Sequence, residues 1–334
     1  MPHLLRSLTA AAVFAVALSP MAGSAQEQPG EGVTVKMAQA TWDTGWFHSE
    51  IYSQLLQKLG YKVQGPTTLD APAFYQSVAQ GDMDLWVNGW FPLHNTYKST
   101  IDQGAEIVGA VAKGGALQGF LVDKAAIDEF GIKSLEDFKR DEVKKAFDRN
   151  GDGKADLVAC PPGWGCEVRI ADIMKELKLG DSINPIKAGY SASMADAIAA
   201  YQSGEHVLFY TWTPNWTVNE LKPGKDVMWI EATTNKDIKM PKPATGLKTC
   251  VADPCTMGFQ ANDIVPVANT AFLDKNPAVR KLLEEVSIPL PDIYAQNSAM
   301  NKGDDDVKAQ AAAWIEKHKD EVDGWLKDAR AAAK

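Results

Sequence analysis

The sequence is short of the features that mark most functional classes. It has no basic patch with interleaved aromatics and no arginine-rich run, so nothing in it points to a nucleic-acid partner. No G-x-G-x-x-G fingerprint follows a strand pattern, which leaves a flavin or nicotinamide enzyme without a starting point. After residue 25 no apolar run is long enough to cross a bilayer. Cysteine is scarce, with four in 334 residues. No activated nucleophile and no catalytic metal cluster stands out. A chain of this kind is expected to bind a ligand and hand it over without chemistry.

Residues 1–25 read as a secretory signal. Arg6 follows Leu4 and Leu5, an apolar run covers Leu8 to Leu18, and Ala22-Gly23-Ser24-Ala25 offers small residues for cleavage. The apolar core is too short to span a membrane, and with no cysteine near the cleavage point a lipid anchor is not expected. The predicted destination is the periplasm. The full chain carries 34 Lys+Arg against 43 Asp+Glu, a net charge of −9; removing the signal takes away only Arg6. This acidity reads as solvated surface. The remaining length suits two domains of ordinary size.

Along the chain, strand and helix patterns alternate. Val33 to Ala38 reads as a strand, Trp42-Asp43-Thr44-Gly45-Trp46 as a loop with Asp43 or Thr44 able to cap, and Phe47 to Leu59 as a helix. The order continues, predicting α/β domains with mainly parallel sheets. An internal echo stands out. Phe74 to Pro92 and Ala197 to Pro214 are each a helix, a glycine stop, a short apolar strand and then Trp-x-Pro. In open α/β sheets ligands bind at the carboxyl ends of strands, so Trp90 and Trp212 are candidates to face one cleft. Core packing is the alternative for any single Trp, and it is the reading for Trp86, Trp216, Trp229, Trp314 and Trp325. Glycine-rich 114–122 reads as one crossing and Met257 to Val265 as a return strand. The predicted domains are 26–115 with 257–334, and 116–256, the two crossings forming a hinge.

The cysteines fall in two close pairs, Cys160/Cys166 and Cys250/Cys255. In an oxidising compartment such spacings read as local disulfides, with a four-cysteine zinc site as the rival. The ring Cys160-Pro161-Pro162-Gly163-Trp164-Gly165-Cys166 can hold one indole in a fixed direction, and Glu167 to Leu179 reads as a helix after it. The amides of Gly165 and Cys166 then fall at a helix N-terminus, suited to a small anion; a stapled surface turn is the plainer alternative. Asp148, Asn150, Asp152 and Asp156 alternate around Gly151 and Gly153 like a calcium loop, but position twelve is Ala159. A structural calcium and an Asx-turn network both fit.

If Trp90, Trp164 and Trp212 converge, three indole faces suit a cation that offers no N–H, namely a quaternary ammonium. A carboxylate on the same ligand would need donors, and His94 with the Gly165/Cys166 amides could supply them. A lone histidine is more often a surface residue; His94 gains weight from its place after the first Trp-x-Pro.

The segments 88–94, 148–156, 162–167, 210–214 and 219–227 resemble the ProX-type glycine betaine/proline betaine-binding proteins, periplasmic components of ABC importers, over essentially the whole mature chain. The resemblance implies a two-lobed periplasmic-binding-protein fold (type II-like) with two α/β domains and a two-strand hinge. It implies Trp90, Trp164 and Trp212 as the aromatic box and His94, Gly165 and Cys166 at the carboxylate. It implies a Cys160–Cys166 disulfide, no cofactor, a monomer, and a membrane permease with its ATPase as partners. Trp42 falls where related choline-binding members have a box Trp, so a choline or carnitine preference is the alternative. A secreted thiol hydrolase using Cys166 and His94 is the rival from another class; pairing of Cys166 would remove its nucleophile.

Overall fold

A computed structural model describes residues 28–334; the expected signal at 1–25 lies outside them. Two sheets organise the chain. The first contains β1 (Thr34–Ala40), β2 (Lys62–Leu69), β3 (Leu85–Phe91), β4 (Ala105–Ile107), β5 (Ala112–Ala116) and, much later, β11 (Asn262–Asn269). The second contains β6 (Gln118–Asp123), β7 (Ala155–Val158), β8 (Ile183–Ile186), β9 (Leu208–Trp212) and β10 (Val227–Ile230). Their orders are β2-β1-β3-β11-β4, with β5 also on β11, and β10-β6-β9-β7-β8. Helices pack on both, which makes the class α/β.

The sheets are mixed where mainly parallel ones were expected, and strand direction explains why. β1, β2 and β3 pair parallel, as do β7, β8 and β9. β11 runs antiparallel to β3, β4 and β5, and β6 antiparallel to β9 and β10. The chain leaves the first sheet at the end of β5 and enters the second at the start of β6, one residue later. It returns into β11 opposite that exit, with Asn262 paired to Ala116. A strand entered from the edge where β3 and β9 finish must oppose them. Both crossings therefore lie at one edge, beside Trp90 and Trp212.

Two element boundaries also differ from expectation. The return strand begins at Asn262, not Met257, because Gly258 has φ +80°, a conformation outside the strand region; a Cβ there would also lie 2.8 Å from the Ala232 Cβ. Asp43 does not cap the first helix. It opens a 3-10 turn, Asp43–Gly45, and the helix Trp46–Lys58 starts from Gly45 with no side-chain cap. Asp43 instead accepts from the Ser191 hydroxyl at 3.3 Å, across the gap between the sheets. The C-terminal helices return to the first half of the chain: Val307–Lys317 packs on Trp46–Lys58, and the Trp314 ring meets Phe47 at 6.4 Å.

The Asp148 to Asp156 loop leads into β7 at the end opposite Cys160. Asp148 accepts the amides of Gly151, Asp152 and Gly153, and Asp156 accepts those of Arg149 and Asn150. Several of the loop's carboxylate oxygens are thus occupied by its own backbone donors. Among the described residues no group of three or more His, Cys, Asp or Glu is placed to hold a metal ion. No helix among them is long and apolar enough to cross a membrane.

At the edges away from the crossings, one buried side chain secures each strand-to-helix joint. Asn269 caps the helix after β11 through Phe272 N–H and donates to the carbonyls of Val78 and Gly104. Asp123, 1 % exposed, accepts from Ala126 N–H at 2.8 Å, Val207 N–H at 3.0 Å and His206 Nδ1 at 3.1 Å. Asp123→Ala removes a helix cap and strands a buried donor, so urea unfolding should show a loss of about 2–3 kcal/mol; a change under about 0.5 kcal/mol would refute this role.

Candidate functional site

Trp90 is the next-to-last residue of β3 and Trp212 the last of β9, β1 runs into Thr41 and Trp42, and β7 runs into the Cys160 ring that carries Trp164. These four strand ends meet around one cavity of about 30 Å³, lined by Trp42, Trp90, Leu93, His94, Gln118, Trp164, Gly165, Cys166, Tyr210 and Trp212. One water needs roughly 10–15 Å³ by the same kind of measure, so the space exceeds a single water. The structure brings together Trp90, Trp164, Trp212, Trp42, His94, Gly165 and Cys166.

Trp164 meets its two neighbouring indoles edge-to-face. Trp164 lies 5.4 Å from Trp42 and 5.5 Å from Trp212, at interplanar angles of 71° and 76°. Tyr190, at the start of the helix Tyr190–Gln202, sits 4.7 Å from Trp212 and 5.8 Å from Trp164. Trp86 lies outside this group of walls: it is fully buried, stacked on Tyr75 at 5.7 Å. Trp229 is buried in the second sheet. Trp314 and Trp325 lie in the two last helices, 6.4 Å apart.

The indole N–H groups are mostly engaged. Trp42 and Trp90 both donate to Asn88 Oδ1, at 2.7 and 2.9 Å. Trp164 donates at 2.8 Å to Thr41 Oγ1, from the second sheet's side to the first. Trp212 Nε1 is buried without a partner among the described residues. Thr41, Trp42 and Asp43 thus form a short run that touches Trp164 and Ser191.

His94 is 1 % exposed, and burial pushes its imidazole down to about 3, so it is neutral at ordinary pH. The Trp90 amide, which can only donate, reaches Nδ1 at 3.2 Å, and the Tyr75 hydroxyl lies 2.7 Å from the same atom. Nδ1 is therefore the acceptor, and the proton sits on Nε2. Gly165 explains why that edge meets the helix: a Cβ at 165 would lie 2.7 Å from His94 Cδ2 and 3.0 Å from Nε2. Gly165 opens the helix Gly165–Glu176, with Trp164 at its N-cap position, so its first amides have no partners within the helix. One side of the cavity is aromatic; the other carries neutral N–H donors.

Cys160 and Cys166 are disulfide-bonded, as are Cys250 and Cys255, and no free cysteine remains among the described residues. The thiolate that a hydrolase would need at Cys166 is therefore tied up. Several lining or supporting residues have no role at the site in the sequence reading: Asn88, Thr41, Gln118, Tyr190 and Tyr210. Gln118 Oε1 accepts from the Tyr210 hydroxyl at 2.6 Å, while Tyr190 donates to the Tyr210 carbonyl at 3.0 Å. Gln118 stands opposite Trp212 in the β6–β9 register. That pairing was the one signal available, and it needs the strand register first.

Residues 33–317 match the family described as OpuAC, the substrate binding domain of ABC-type glycine betaine transport systems. The glycine betaine-binding periplasmic protein OusX of Dickeya dadantii is 38% identical over 315 residues, covering 93% of this chain and 94% of its own. The glycine betaine/proline betaine-binding periplasmic protein of Escherichia coli K12 is 37% identical over 339 residues, covering 98% and 99%. Among solved structures, lactococcal OpuAC in its closed form with glycine betaine has a TM-score of 0.67 at 21% identity, covering 88% of this chain and 99% of that one. A choline-binding protein with choline bound gives 0.66 at 19%, covering 90% and 96%. The match over most of the length, together with relatives at this identity, places the chain in the OpuAC family of substrate-binding domains of ABC-type glycine betaine transport systems.

Proposed function

We propose that the protein captures a quaternary ammonium compatible solute, glycine betaine or proline betaine, in the cavity between its two sheets and delivers it to a membrane permease driven by an ATPase. The observation that carries this is the pairing of aromatic walls with neutral donors in one small space. Trp90, Trp164 and Trp212, with Trp42, take the methylated nitrogen. His94 Nε2–H and the amides of Gly165 and Cys166 take the carboxylate.

The energetics are adequate. A desolvated cation–π contact contributes about 1–2 kcal/mol, and each buried methyl about 0.8 kcal/mol. Four rings and three methyls reach about 10 kcal/mol gross at the upper end; charge-assisted bonds to the carboxylate, about 1.5–3 kcal/mol each, add to this, and the total leaves micromolar binding, about −8 kcal/mol, after association costs at the lower end of their range. A helix N-terminus stabilises the carboxylate without a buried cation.

Residues 26–115 with 257–334 act as one lobe and 116–256 as the other, hinged at the adjacent crossings near Leu117 and 257–262. The Trp164–Thr41 and Ser191–Asp43 bonds join the lobes, and ligand that contacts both shifts the population toward closure. The mature protein works in the periplasm as a monomer, after loss of residues 1–25. The Asp148–Asp156 loop serves as a structural turn, and no cofactor takes part. A choline-preferring site is the second reading, favoured by Trp42 at the cavity.

Three measurements test this. Trp164→Ala and Trp212→Ala should each weaken glycine betaine binding at least about tenfold by calorimetry, since a lost box wall costs over about 1.4 kcal/mol; unchanged affinity in both would defeat the box. His94→Ala should hurt glycine betaine more than choline, and equal losses would remove His94 from the carboxylate. Affinity for glycine betaine should stay flat from pH 8 to pH 5, because His94 gains its proton only near 3 and a carboxylate stays ionised above about 4. A tenfold change per pH unit below about 6.5 would mean that the histidine titrates in that range.

A further inference from the structure

We infer that Asn88 is a positioning residue that sets the spacing of two walls of this cavity, with His48 fixing the direction of its carboxamide; the inference rests on the betaine-binding reading above. Trp42 and Trp90 come from different strand ends, and their rings do not pack on each other. What they share is one atom, Asn88 Oδ1, which accepts both indole N–H groups at 2.7 and 2.9 Å. Indole nitrogen can only donate. The carboxamide oxygen therefore faces the tryptophans, and no flipped arrangement satisfies both rings.

The amide nitrogen then faces the other way, to His48 Nδ1. Since that amide donates, Nδ1 must accept, which puts the His48 proton on Nε2, an atom buried without a partner among the described residues. His48 and Asn88 are each 1 % exposed. Room for the carboxamide comes from Gly45, where a Cβ would lie 3.0 Å from Asn88 Cγ and 3.2 Å from Trp42 Nε1. Helix, strand and loop thus meet at one amide. Asn88, Trp90, His48 and Trp42 belong to the first sheet, its first helix and the loop between β1 and that helix, so these hydrogen bonds need no residue of the second sheet.

Two consequences follow. With their N–H groups bound to Asn88, Trp42 and Trp90 have no donor left for the ligand, which suits a cation lacking hydrogen-bond needs. Their separation is also held in the absence of ligand, so no ring ordering opposes binding.

The test is nuclear magnetic resonance of protein labelled with ¹⁵N at the indoles, together with calorimetry. Trp42→Phe and Trp90→Phe identify the two signals. In the wild-type protein, adding glycine betaine should leave the Trp42 and Trp90 N–H signals protected from solvent exchange as before, whereas Trp164, whose acceptor Thr41 is on the other sheet's side, should change. In Asn88→Ala both signals should move and exchange faster, and affinity should fall at least about tenfold, the loss expected when two buried donors lose their acceptor. Asn88→Asp retains an oxygen facing the indoles, and a shift of the His48 proton from Nε2 to Nδ1 gives its other oxygen a donor, so it should recover most of that loss. The inference is overturned if Asn88→Ala binds as the wild type does, or if it loses binding while both indole signals stay in place. Should Asn88→Ala fail to fold, wild-type signals that become protected only on adding ligand would overturn it equally. A wild-type protein that binds no betaine would sink the functional reading instead, and the indole signals of Asn88→Ala would still decide the role of Asn88.

Discussion

A buried indole has one polar atom, and that N–H must find an acceptor or go without. Much of the cavity's architecture follows from this constraint. A ring whose N–H is bound to a fixed acceptor keeps its edge in one place and has only its faces to offer. Trp42 and Trp90 share Asn88, and Trp164 reaches Thr41 across the gap between the sheets. The walls are held by polar bonds directed away from the space they enclose. Trp212 differs: its N–H is buried and without a partner among the described residues, and its ring is held by packing on Tyr190 and Trp164.

Strand direction supplies the second constraint. Each sheet has parallel strands that finish at the shared edge and deliver a loop or a tryptophan to it. The chain must also cross there twice, so the strands it enters by run antiparallel and start beside the cavity. That is why Gln118, the first residue of β6, lines the space together with Trp212, its register partner. Placing both crossings beside the site also places the site next to the only chain connections between the sheets among the described residues. On the proposed reading, a small rotation at 117 and 257–262 then changes the distance between Trp164 and Thr41 directly, which couples ligand contact to lobe position.

The tryptophans were legible in the sequence because their context repeats: a helix, a glycine stop, a strand and Trp-x-Pro, twice. Trp164 was legible from its two prolines, two glycines and flanking cysteines. His94 followed from standing four positions after Trp90. Asn88, Thr41 and Gln118 were not, because each acts through a partner far away in sequence, 46 positions from Trp42, 123 from Trp164 and 92 from Tyr210. No periodicity or local motif encodes such pairs. Asp43 was misread for a related reason: local capping rules favour it as a helix cap, but a tertiary partner, Ser191, takes its carboxylate. The expectation of mainly parallel sheets held for β1–β3 and β7–β9 but not for β6, β10 and β11, because element order alone does not say from which edge the chain enters a strand.

Neutrality is the last step. On the proposed reading a carboxylate could be bound by Arg or Lys, but a cation beside the aromatic rings would repel the ammonium they take. Its own desolvation would also be costly. His94, kept uncharged by burial with its proton on Nε2, and the free amides of a helix start provide donors without net charge. The aromatic walls attract a cation through their quadrupoles, again without net charge. A zwitterion is itself neutral overall, so a site with no formal charge at its walls matches it at both ends. A bare cation such as choline uses only the aromatic half of such a site and leaves the donors to water or to a hydroxyl. On the proposed reading the preference falls on the ligand that satisfies both halves, because an ionised carboxylate accepts those donors more strongly than water or a hydroxyl does.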